Sequence, residues 1–427
     1  MRNDHVRFAR FLAAAGVFTV TAYLANIAFV LWALFAVATL IVFRHNANPL
    51  YAISLWFLAP LATPDLATDD VFFLVFLAVV AAIALFDAFK RQRFHTLGKL
   101  GIALVIFLDV SLLGLIFSRN LDAALPGILA LLVALLAYVY FINVIPFDKS
   151  LFHRVAQLLV TMAIVSTVTH AFTALANWMF IGDVIAASTL NVYPHLLAVP
   201  FIIHRIRHAE LRAPWVVGLF FVAGGVLLSG SYARLFTLTS ALLLFVPYWF
   251  LPSNRKVKIA LIVSGTFALS ALFAAFIPFY ALWVERLFGA FMPFIDAQLA
   301  AMRLGVRSFA QNIIIGVGGL GAAQTLAEEA GETLTGGQSL WVDTATLGLL
   351  GVGAFIYLQV RKVLLIARIE TSMRYVFFVL FVSVVIIGGA FDAVYYHTGH
   401  LLMLLFVLAC AERSALTTQA RRLTKGM

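Results

Sequence analysis

The sequence predicts an all-α, polytopic integral membrane protein with about twelve to fourteen transmembrane helices, and three observations carry this prediction. Hydrophobic residues make up 63% of the 427 residues and charged residues only 11%, and the mean hydropathy is +1.03, far too apolar for a soluble chain. Apolar runs close to transmembrane length recur from end to end. Segments such as 71–85 and 128–140 are apolar on every face, which excludes the alternating strands of a transmembrane β-barrel.

Each predicted span is an apolar run bounded by polar or charged residues. Four runs are short for a full crossing of about 20 residues and are open to paired or re-entrant arrangements. These four are 11–25, 27–43, 50–63 and 398–412. The others are predicted at 71–89, 98–117, 122–145, 155–180, 186–203, 213–229, 231–251, 257–279, 340–359 and 375–391. Residues 1–427 are therefore predicted to form a single transmembrane domain.

Basic residues predict the orientation of the spans. With a cytoplasmic N-terminus, all but five of the 29 Lys and Arg residues lie on the cytoplasmic side, as the positive-inside rule requires. The five on the outer side are Arg119, Arg234, Arg286, Arg303 and Arg307. The net charge of +10 is therefore explained by the orientation of the spans in an inner membrane and does not indicate nucleic-acid binding. The C-terminus is predicted to be cytoplasmic as well.

One outer connection is much longer than the others. It covers residues 280–339 and is rich in Gly, Gln, Glu and Arg. Residues 285–315 are predicted to form one or two amphipathic helices against the bilayer, with Arg303 and Arg307 one turn apart on one face. The glycine run 316–321 lacks the Lys-Ser/Thr pair and the preceding strand of a phosphate loop. We interpret it as a tight turn that permits close helix packing.

The paired arginines have two interpretations. Two guanidinium groups one helical turn apart suit a diphosphate, because each presents several donors and stays charged at physiological pH. Alternatively, they anchor the helix to anionic lipid headgroups. The position of Arg234 favours the diphosphate interpretation, because Arg234 lies at a turn between two spans on the same side of the membrane as the paired arginines. The alternative for Arg234 is a side chain that snorkels to the headgroups.

Three segments also resemble those of a known family. Residues 227–234, Leu-Leu-Ser-Gly-Ser-Tyr-Ala-Arg, are similar to a Ser-Arg turn with an outward arginine. Arg303 and Arg307 precede Asn-Ile-Ile-Ile-Gly-Val-Gly at 312–318, like an arginine followed by Ile-Gly-x-Gly. Gln-Ser-Leu-Trp at 338–341 leads to Gly-Leu-Leu-Gly at 348–351, like a loop exit that ends in Gly-Leu-x-Gly. Together they resemble the O-antigen polymerase and O-antigen ligase superfamily of bacterial membrane glycosyltransferases.

The resemblance implies a GT-C-like fold and a polysaccharide polymerase. Its substrate would be an undecaprenyl-diphosphate-linked oligosaccharide, joined to another repeat unit at the periplasmic face to build O-antigen, capsule or exopolysaccharide. Arg303, Arg307 and Arg234 would stabilise the leaving lipid diphosphate. Ligases of the superfamily carry His-Asn at the loop exit, where this chain has Gly337 and Gln338, and this difference favours the polymerase branch.

No cofactor is expected for this reaction. The outer loops lack an Asp-x-Asp pair that would hold a metal ion, and the donor is already activated by its diphosphate, so neither ATP nor a nucleotide sugar is required. The single cysteine, Cys410, excludes an internal disulfide and a cysteine metal site. Expected partners are membrane lipids and other polysaccharide assembly proteins, such as a flippase or a chain-length regulator, and no nucleic acid.

The acceptor hydroxyl needs a general base, and several outer residues are candidates. Asp343 is preferred, because burial near a membrane entry makes a carboxylate more basic. The other candidates are Glu328, Glu329, Glu332, Asp392, His397 and His400. The alternative for the three glutamates is that they only lie in a solvated loop. The alternative for Asp392 and His397 is local helix capping. Substrate contacts are assigned to Tyr232, Gln338, Trp341, Asp392 and His397.

Three ionisable residues fall inside predicted spans: Asp109, His170 and His195. In a transporter they would couple protons, whereas in a polymerase they would form interhelical hydrogen bonds or lie near the membrane interface. Three rival functions stay open: an O-antigen ligase that transfers glycan to a lipid acceptor, a lipid-linked oligosaccharide flippase or other secondary transporter, and a structural scaffold without catalysis, which the clustered arginines disfavour. The two halves of the chain show no repeat, which disfavours a transporter.

Overall fold

The all-α class is confirmed for the part of the chain that the structure describes. This computed structural model describes residues 2–44, 48–62, 86, 89, 96–118, 121–146, 150–181, 193–229, 232–250, 292–311, 313–316, 344–369, 371–389 and 398–425. Every regular element within these ranges is a helix. The predicted spans 71–89 and 257–279 lie outside the described residues, apart from Phe86 and Phe89.

The described α-helices are numbered here in chain order. They are α1 (Arg2–Leu24), α2 (Ala28–Arg44), α3 (Pro49–Leu58), α4 (Lys99–Ile116), α5 (Leu121–Val144), α6 (Leu151–Ile181), α7 (Tyr193–His208), α8 (Ala213–Leu228), α9 (Tyr232–Phe250), α10 (Met292–Gln311), α11 (Gly348–Arg368), α12 (Thr371–Leu380) and α13 (Thr398–Lys425). A 3₁₀ turn, Ala59–Ala62, extends α3, and a π-helical segment, Phe381–Gly388, extends α12.

The helix lengths and compositions are those of a helical membrane protein. Five described helical segments are long and apolar enough to cross a membrane: Asp4–Leu24, Lys99–Ile116, Gly127–Val144, Leu151–Thr173 and Gly348–Arg368. Shorter apolar helices occur at Val30–Thr39, Pro49–Leu61, Ala213–Leu228, Arg234–Val246 and Met373–Gly388. Each of these segments overlaps a predicted span. The total of twelve to fourteen spans stays a prediction.

The last helix, α13, lies at the centre of the bundle. All residues from 401 to 412 are buried, and α13 packs mainly against α5, with further contacts to α7 and α11. Phe406 of α13 meets Phe57 of α3 and Phe141 of α5 at ring-centroid distances of 5.3 Å and 5.4 Å. The run 398–412 is thus the first half of a 28-residue helix, and it carries the buried part of that helix.

Side-chain contacts show which helix ends lie together at one end of the bundle. His5 of α1 and His153 of α6 have ring centroids 4.7 Å apart, so α1 and α6 begin at the same end. Phe152 lies 5.5 Å from Phe377, which brings the start of α12 to this end. The Tyr375 hydroxyl donates to the carbonyl of Leu244 in the second half of α9. We call this the inner end, after the predicted orientation.

Other contacts define the opposite, outer end. Tyr23, at the end of α1, is hydrogen-bonded to Thr173 of α6. A Cβ on Gly388, at the end of the π-helical segment, would lie 3.5 Å from Thr237 near the start of α9. Every one of these contacts joins helix ends that the sequence places on the same side of the membrane. Which end faces the cytoplasm stays a prediction.

A buried carboxylate at the inner end joins three helices. Glu412 of α13 accepts a hydrogen bond of 2.6 Å from the backbone N–H of Lys99 and another from the hydroxyl of Tyr138 in α5. Gly98, the N-cap residue of α4, has no side chain to cap the helix, so Glu412 supplies the cap from α13. The Asn143 amide donates to the Thr96 carbonyl at 2.8 Å and reinforces the same junction.

Candidate functional site

The predicted amphipathic helix of the outer loop is present as α10, and its two arginines share one face. Arg303 and Arg307 are both exposed, whereas Leu304 and Ser308, each one position further along the chain, are buried. The spacing of four residues separates the two arginines by about 6 Å along the helix axis. The predicted placement of Arg303 and Arg307 on one helical face is therefore confirmed.

A short turn after α10 is hydrogen-bonded to the beginning of α11. The backbone N–H of Leu349 donates to the carbonyl of Ile313 at 2.8 Å, and that of Leu350 donates to Ile314 at 3.3 Å. These donors belong to the first turn of α11, where backbone N–H groups have no partner within the helix. Arg307 precedes Ile313 by only six residues, so it lies within about 20 Å of this junction.

Two glycines allow the backbones to touch at the junction. Gly316 and Gly348 have φ angles of +81° and +68°, in the left-handed region that favours glycine. A Cβ on Gly316 would overlap the carbonyl oxygen of Thr346, and one on Gly348 would lie 2.5 Å from the Gly316 nitrogen. The interpretation of the glycine run as a tight turn is confirmed at Gly316, and residues 317–321 lie outside the described residues.

The junction lies at the outer end of the bundle. α11 is followed directly by α12, and Phe377 and Tyr375 place the start of α12 at the inner end. The C-terminus of α11 is therefore at the inner end, and its N-terminus, which contacts Ile313 and Gly316, is at the outer end. The segment that follows Arg303 and Arg307 is thus fixed at the outer end.

Arg234 lies at the same end of the bundle as the turn that follows the paired arginines. It is in the first turn of α9, three residues before Thr237, and its side chain is partly buried. Ser229, which ends α8, is 3% exposed and its hydroxyl donates to the Val226 carbonyl at 2.6 Å. Arg234 and the turn that follows the paired arginines thus lie at one end of the bundle. Their convergence on a single anion stays a prediction.

Apolar side chains are exposed at the junction that follows the arginine pair. Ile313 and Ile314 are 55% and 63% exposed, and the residues hydrogen-bonded to them, Leu349 and Leu350, are 57% and 45% exposed. Val306, between the two arginines, is also exposed. An anionic head beside a hydrocarbon tail has the chemistry that such a surface recognises, since guanidinium groups bind phosphate and the apolar strip offers van der Waals contact.

Several predicted site residues cannot be placed. Asp343, Gln338, Trp341, Asp392 and His397 lie outside the described residues, as do Glu328, Glu329 and Glu332. Tyr232 begins α9, but its side chain is not among those described, and the same holds for His400 at the start of α13. The assignments of a general base and of substrate contacts to these residues stay predictions.

The three ionisable residues inside predicted spans differ in their surroundings. His195 of α7 is fully buried, and its Nε2 is hydrogen-bonded to the Thr167 hydroxyl of α6 at 2.7 Å, so the predicted interhelical bond is confirmed. The His170 Nδ1 donates to the Ser166 carbonyl at 2.8 Å, which is a bond within α6. Asp109 lies on the exposed face of α4, where an interhelical contact was predicted.

Two polar groups at the inner end are not apparent from motif patterns. One is the Glu412 junction, whose only signal in the sequence is a single carboxylate at the end of an apolar run. The other is a set of histidines and arginines at the ends of α1, α6, α7 and α8, which in the sequence serve only to predict orientation. Within the described ranges, no group of three or more His, Cys, Asp or Glu side chains could hold a metal ion.

Comparison with known proteins assigns no family to this chain. The chain matches no protein-family model and no curated protein.

Proposed function

We propose that this protein is a polysaccharide polymerase of the bacterial inner membrane, with a GT-C-like fold. It joins undecaprenyl-diphosphate-linked oligosaccharide repeat units at the periplasmic face and releases the lipid diphosphate. The observation that carries the proposal is the contact between Ile313–Gly316 and the start of α11, because it joins two of the three segments that resemble the polymerase and ligase superfamily. The third segment, which ends at Arg234, belongs to the same end of the bundle.

The arrangement of the arginines supports the chemistry of the proposed reaction. A sugar hydroxyl attacks the anomeric carbon of the donor, the bond from that carbon to the diphosphate oxygen breaks, and a general base takes the hydroxyl proton. Negative charge then grows on the departing diphosphate, where fixed positive groups lower the barrier. Arg303 and Arg307 are exposed to an incoming substrate, and the turn that follows them is bonded to α11, which limits their movement.

The exposed apolar strip supports a lipid-linked donor. Ile313, Ile314, Leu349 and Leu350 offer a hydrocarbon surface directly beside the junction. A polyprenyl chain on this strip would bring its diphosphate towards the arginine pair, while its sugars remain on the outer side. Asp343 is proposed as the general base, and a flippase and a chain-length regulator are proposed as partners in the assembly of the polymer.

The proposal is tested by the glycan profile of the native host carrying Arg303→Ala. We expect single repeat units to accumulate on the lipid carrier at the outer face, with no long polymer. Asp296→Ala is the matched control, because Asp296 is also charged and exposed on α10 but has the wrong sign to hold a diphosphate, and this variant should give normal polymer. Long polymer retained on the carrier would replace the proposal with a ligase, and repeat units trapped on the cytoplasmic face would replace it with a flippase.

A conservative substitution separates diphosphate binding from general positive charge. Arg303→Lys keeps the charge but removes the planar, bidentate guanidinium. We expect this variant to lose most polymerisation at equal expression, by roughly ten- to a hundredfold, as for the loss of one or two charge-assisted hydrogen bonds. Full polymerisation by Arg303→Lys would exclude the bidentate contact and leave the headgroup-anchoring interpretation of this residue.

A further inference from the structure

One carboxylate within a predicted span faces away from the bundle. Asp109 lies on the exposed face of α4, and in the described part of the chain it has no hydrogen bond or ion pair. The opposite face of α4 is buried. Phe107 meets Phe355 of α11 at a ring-centroid distance of 6.3 Å, and a Cβ on Gly101 would lie 3.3 Å from the ring of Tyr138 in α5. α11 and α5 thus cover one face of α4 and leave the face of Asp109 open.

The depth of Asp109 makes this exposure unfavourable in a membrane. Lys99, the first residue of α4, is bonded to Glu412 at the inner end, and Asp109 follows it by ten residues, about 15 Å along the helix axis. This distance is half of a hydrocarbon core of roughly 30 Å. An aspartate side chain is too short to reach the headgroups from there, and an ionisable group at such a depth almost always has a polar partner.

The residues of α4 around Asp109 do not supply that partner. One turn before and one turn after Asp109, the neighbours on the helix surface are all apolar: Val105, Ile106, Leu112 and Leu113. The backbone N–H groups beside it are used within the helix. Ser111 is satisfied differently, because its buried hydroxyl donates to the Phe107 carbonyl at 2.8 Å. The partner of Asp109 must therefore come from outside the described bundle.

The exposed residues around Asp109 form a regular row, which we call the α4 seam. They follow one another at intervals of four and three residues: Ile102, Ile106, Asp109, Leu113 and Ile116. This is the spacing by which two parallel helices pack side by side in a left-handed pair. The exposed face of α2 has the same spacing, at Val30, Leu34, Val37 and Ile41. That face is apolar throughout, so lipid is sufficient to cover it, and the carboxylate distinguishes the α4 seam from such a surface.

We propose that the α4 seam is the interface of a homodimer, in which α4 packs against α4 of a second copy. Membrane insertion gives both copies the same orientation, so a two-fold axis along the membrane normal brings each seam residue opposite to itself. The two Asp109 side chains then meet at one depth and share a proton taken from water, so that one carboxyl group donates to the other. A single polar residue in an apolar seam also fixes the register of the pair. The interface does not depend on the proposed polymerase activity.

Cysteine cross-linking of the full-length protein in native membranes tests the contact. Ile106→Cys and Leu113→Cys lie on either side of Asp109 in the seam, and we expect both variants to form disulfide-linked dimers under mild oxidation. Leu34→Cys on α2 is the matched control, because Leu34 is similarly exposed but has no carboxylate in its row, and this variant should stay monomeric. The native Cys410 is fully buried and should not react. Equal cross-linking at Leu34 and Ile106, or no dimer at Ile106 and Leu113, would overturn the proposal.

Substitutions of Asp109 separate the carboxyl pair from apolar packing. In the Ile106→Cys background, Asp109→Leu should slow dimer cross-linking roughly tenfold, as for the loss of one interhelical hydrogen bond in a membrane. Leucine suits a lipid-facing position, so this variant should still fold, which its thermal-unfolding midpoint verifies. Asp109→Asn should keep the dimer, since an amide both donates and accepts. Undiminished cross-linking by Asp109→Leu would overturn the carboxyl pair, and a cross-link of Ile106→Cys to a protein of another mass would replace the second copy with a different partner.

Discussion

At the scale of single residues, the environment of His195 depends on a missing methyl group. A Cβ on Gly225 of α8 would overlap Nε2 of His195 and crowd the Thr167 hydroxyl. These are the two atoms of the hydrogen bond between α6 and α7. Glycine at position 225 therefore lets three helices meet around a polar contact, which is costly to break in an apolar interior.

Gly225→Ala should destabilise the protein by about 1–3 kcal/mol, because the added methyl group must displace His195 and separate it from Thr167. The measurement is the midpoint of thermal unfolding of the purified protein in detergent. Gly224→Ala is the control, since a Cβ there has no heavy atom of the described residues within 4 Å and alanine favours a helix. A midpoint for Gly225→Ala that equals that of Gly224→Ala would contradict the packing described here.

Some residue-level features follow from the sequence and others do not. The spacing of Arg303 and Arg307 predicted their common face, because helix periodicity is a local property. The hydrogen bond of His195 was expected, since an ionisable group inside a span needs a partner, but its partner Thr167 is 28 residues away and no local rule names it. Glu412 was missed for the same reason, because its partners in α4 and α5 are distant in the chain.

At the scale of elements, the outer loop depends on the contact of Gly316 with α11. Gly316 brings its backbone against Thr346 and Gly348, and the preceding residues bond to the first N–H groups of α11. An L-residue at a positive φ costs about 1–2 kcal/mol, and a side chain at position 316 would also overlap the Thr346 carbonyl. Both effects act on the junction and not on the interior of the bundle.

Gly316→Ala should therefore loosen the outer loop while the bundle stays folded. We expect faster limited proteolysis by trypsin at Arg303 and Arg307, by several-fold, because a cleavable segment must open locally before the protease can bind it. Gly353→Ala on α11 is the control, since a Cβ there meets no heavy atom within 4 Å in the described part of the chain. Equal cleavage rates in the two variants would show that Gly316 does not fix the loop.

The positions of the helices along the sequence were predicted better than their places in the bundle. The apolar run 398–412 was predicted as a short span, and the structure shows that it belongs to α13, which continues to Lys425 and buries residues 401–412 in the core. Runs that are apolar on every face carry no periodic signal, so the sequence does not reveal which helix is central. α11 continues to Arg368, beyond the predicted span 340–359, and Arg361 in this continuation stacks on Tyr357 at 4.9 Å and donates to its hydroxyl.

At the scale of the whole molecule, α11 links the outer end of the bundle to the inner end. Its N-terminus holds the turn that follows Arg303 and Arg307, and its C-terminus leads to α12 at the inner end. The 21 residues of α11 extend about 30 Å, close to the thickness of the hydrocarbon core. The proposed function therefore requires the two ends of α11 to face different compartments.

Single-cysteine labelling of intact cells tests this orientation. The native Cys410 is 0% exposed, so it should not react with a membrane-impermeant maleimide. Cysteine in place of Ala310, exposed on α10, should react in intact cells, whereas cysteine in place of Arg368, exposed at the end of α11, should react only after lysis. The expectation rests on the positive-inside distribution, which leaves only five basic residues on the outer side. Reaction of the Arg368→Cys variant in intact cells would show that the inner end faces outwards and would remove the diphosphate role of Arg303.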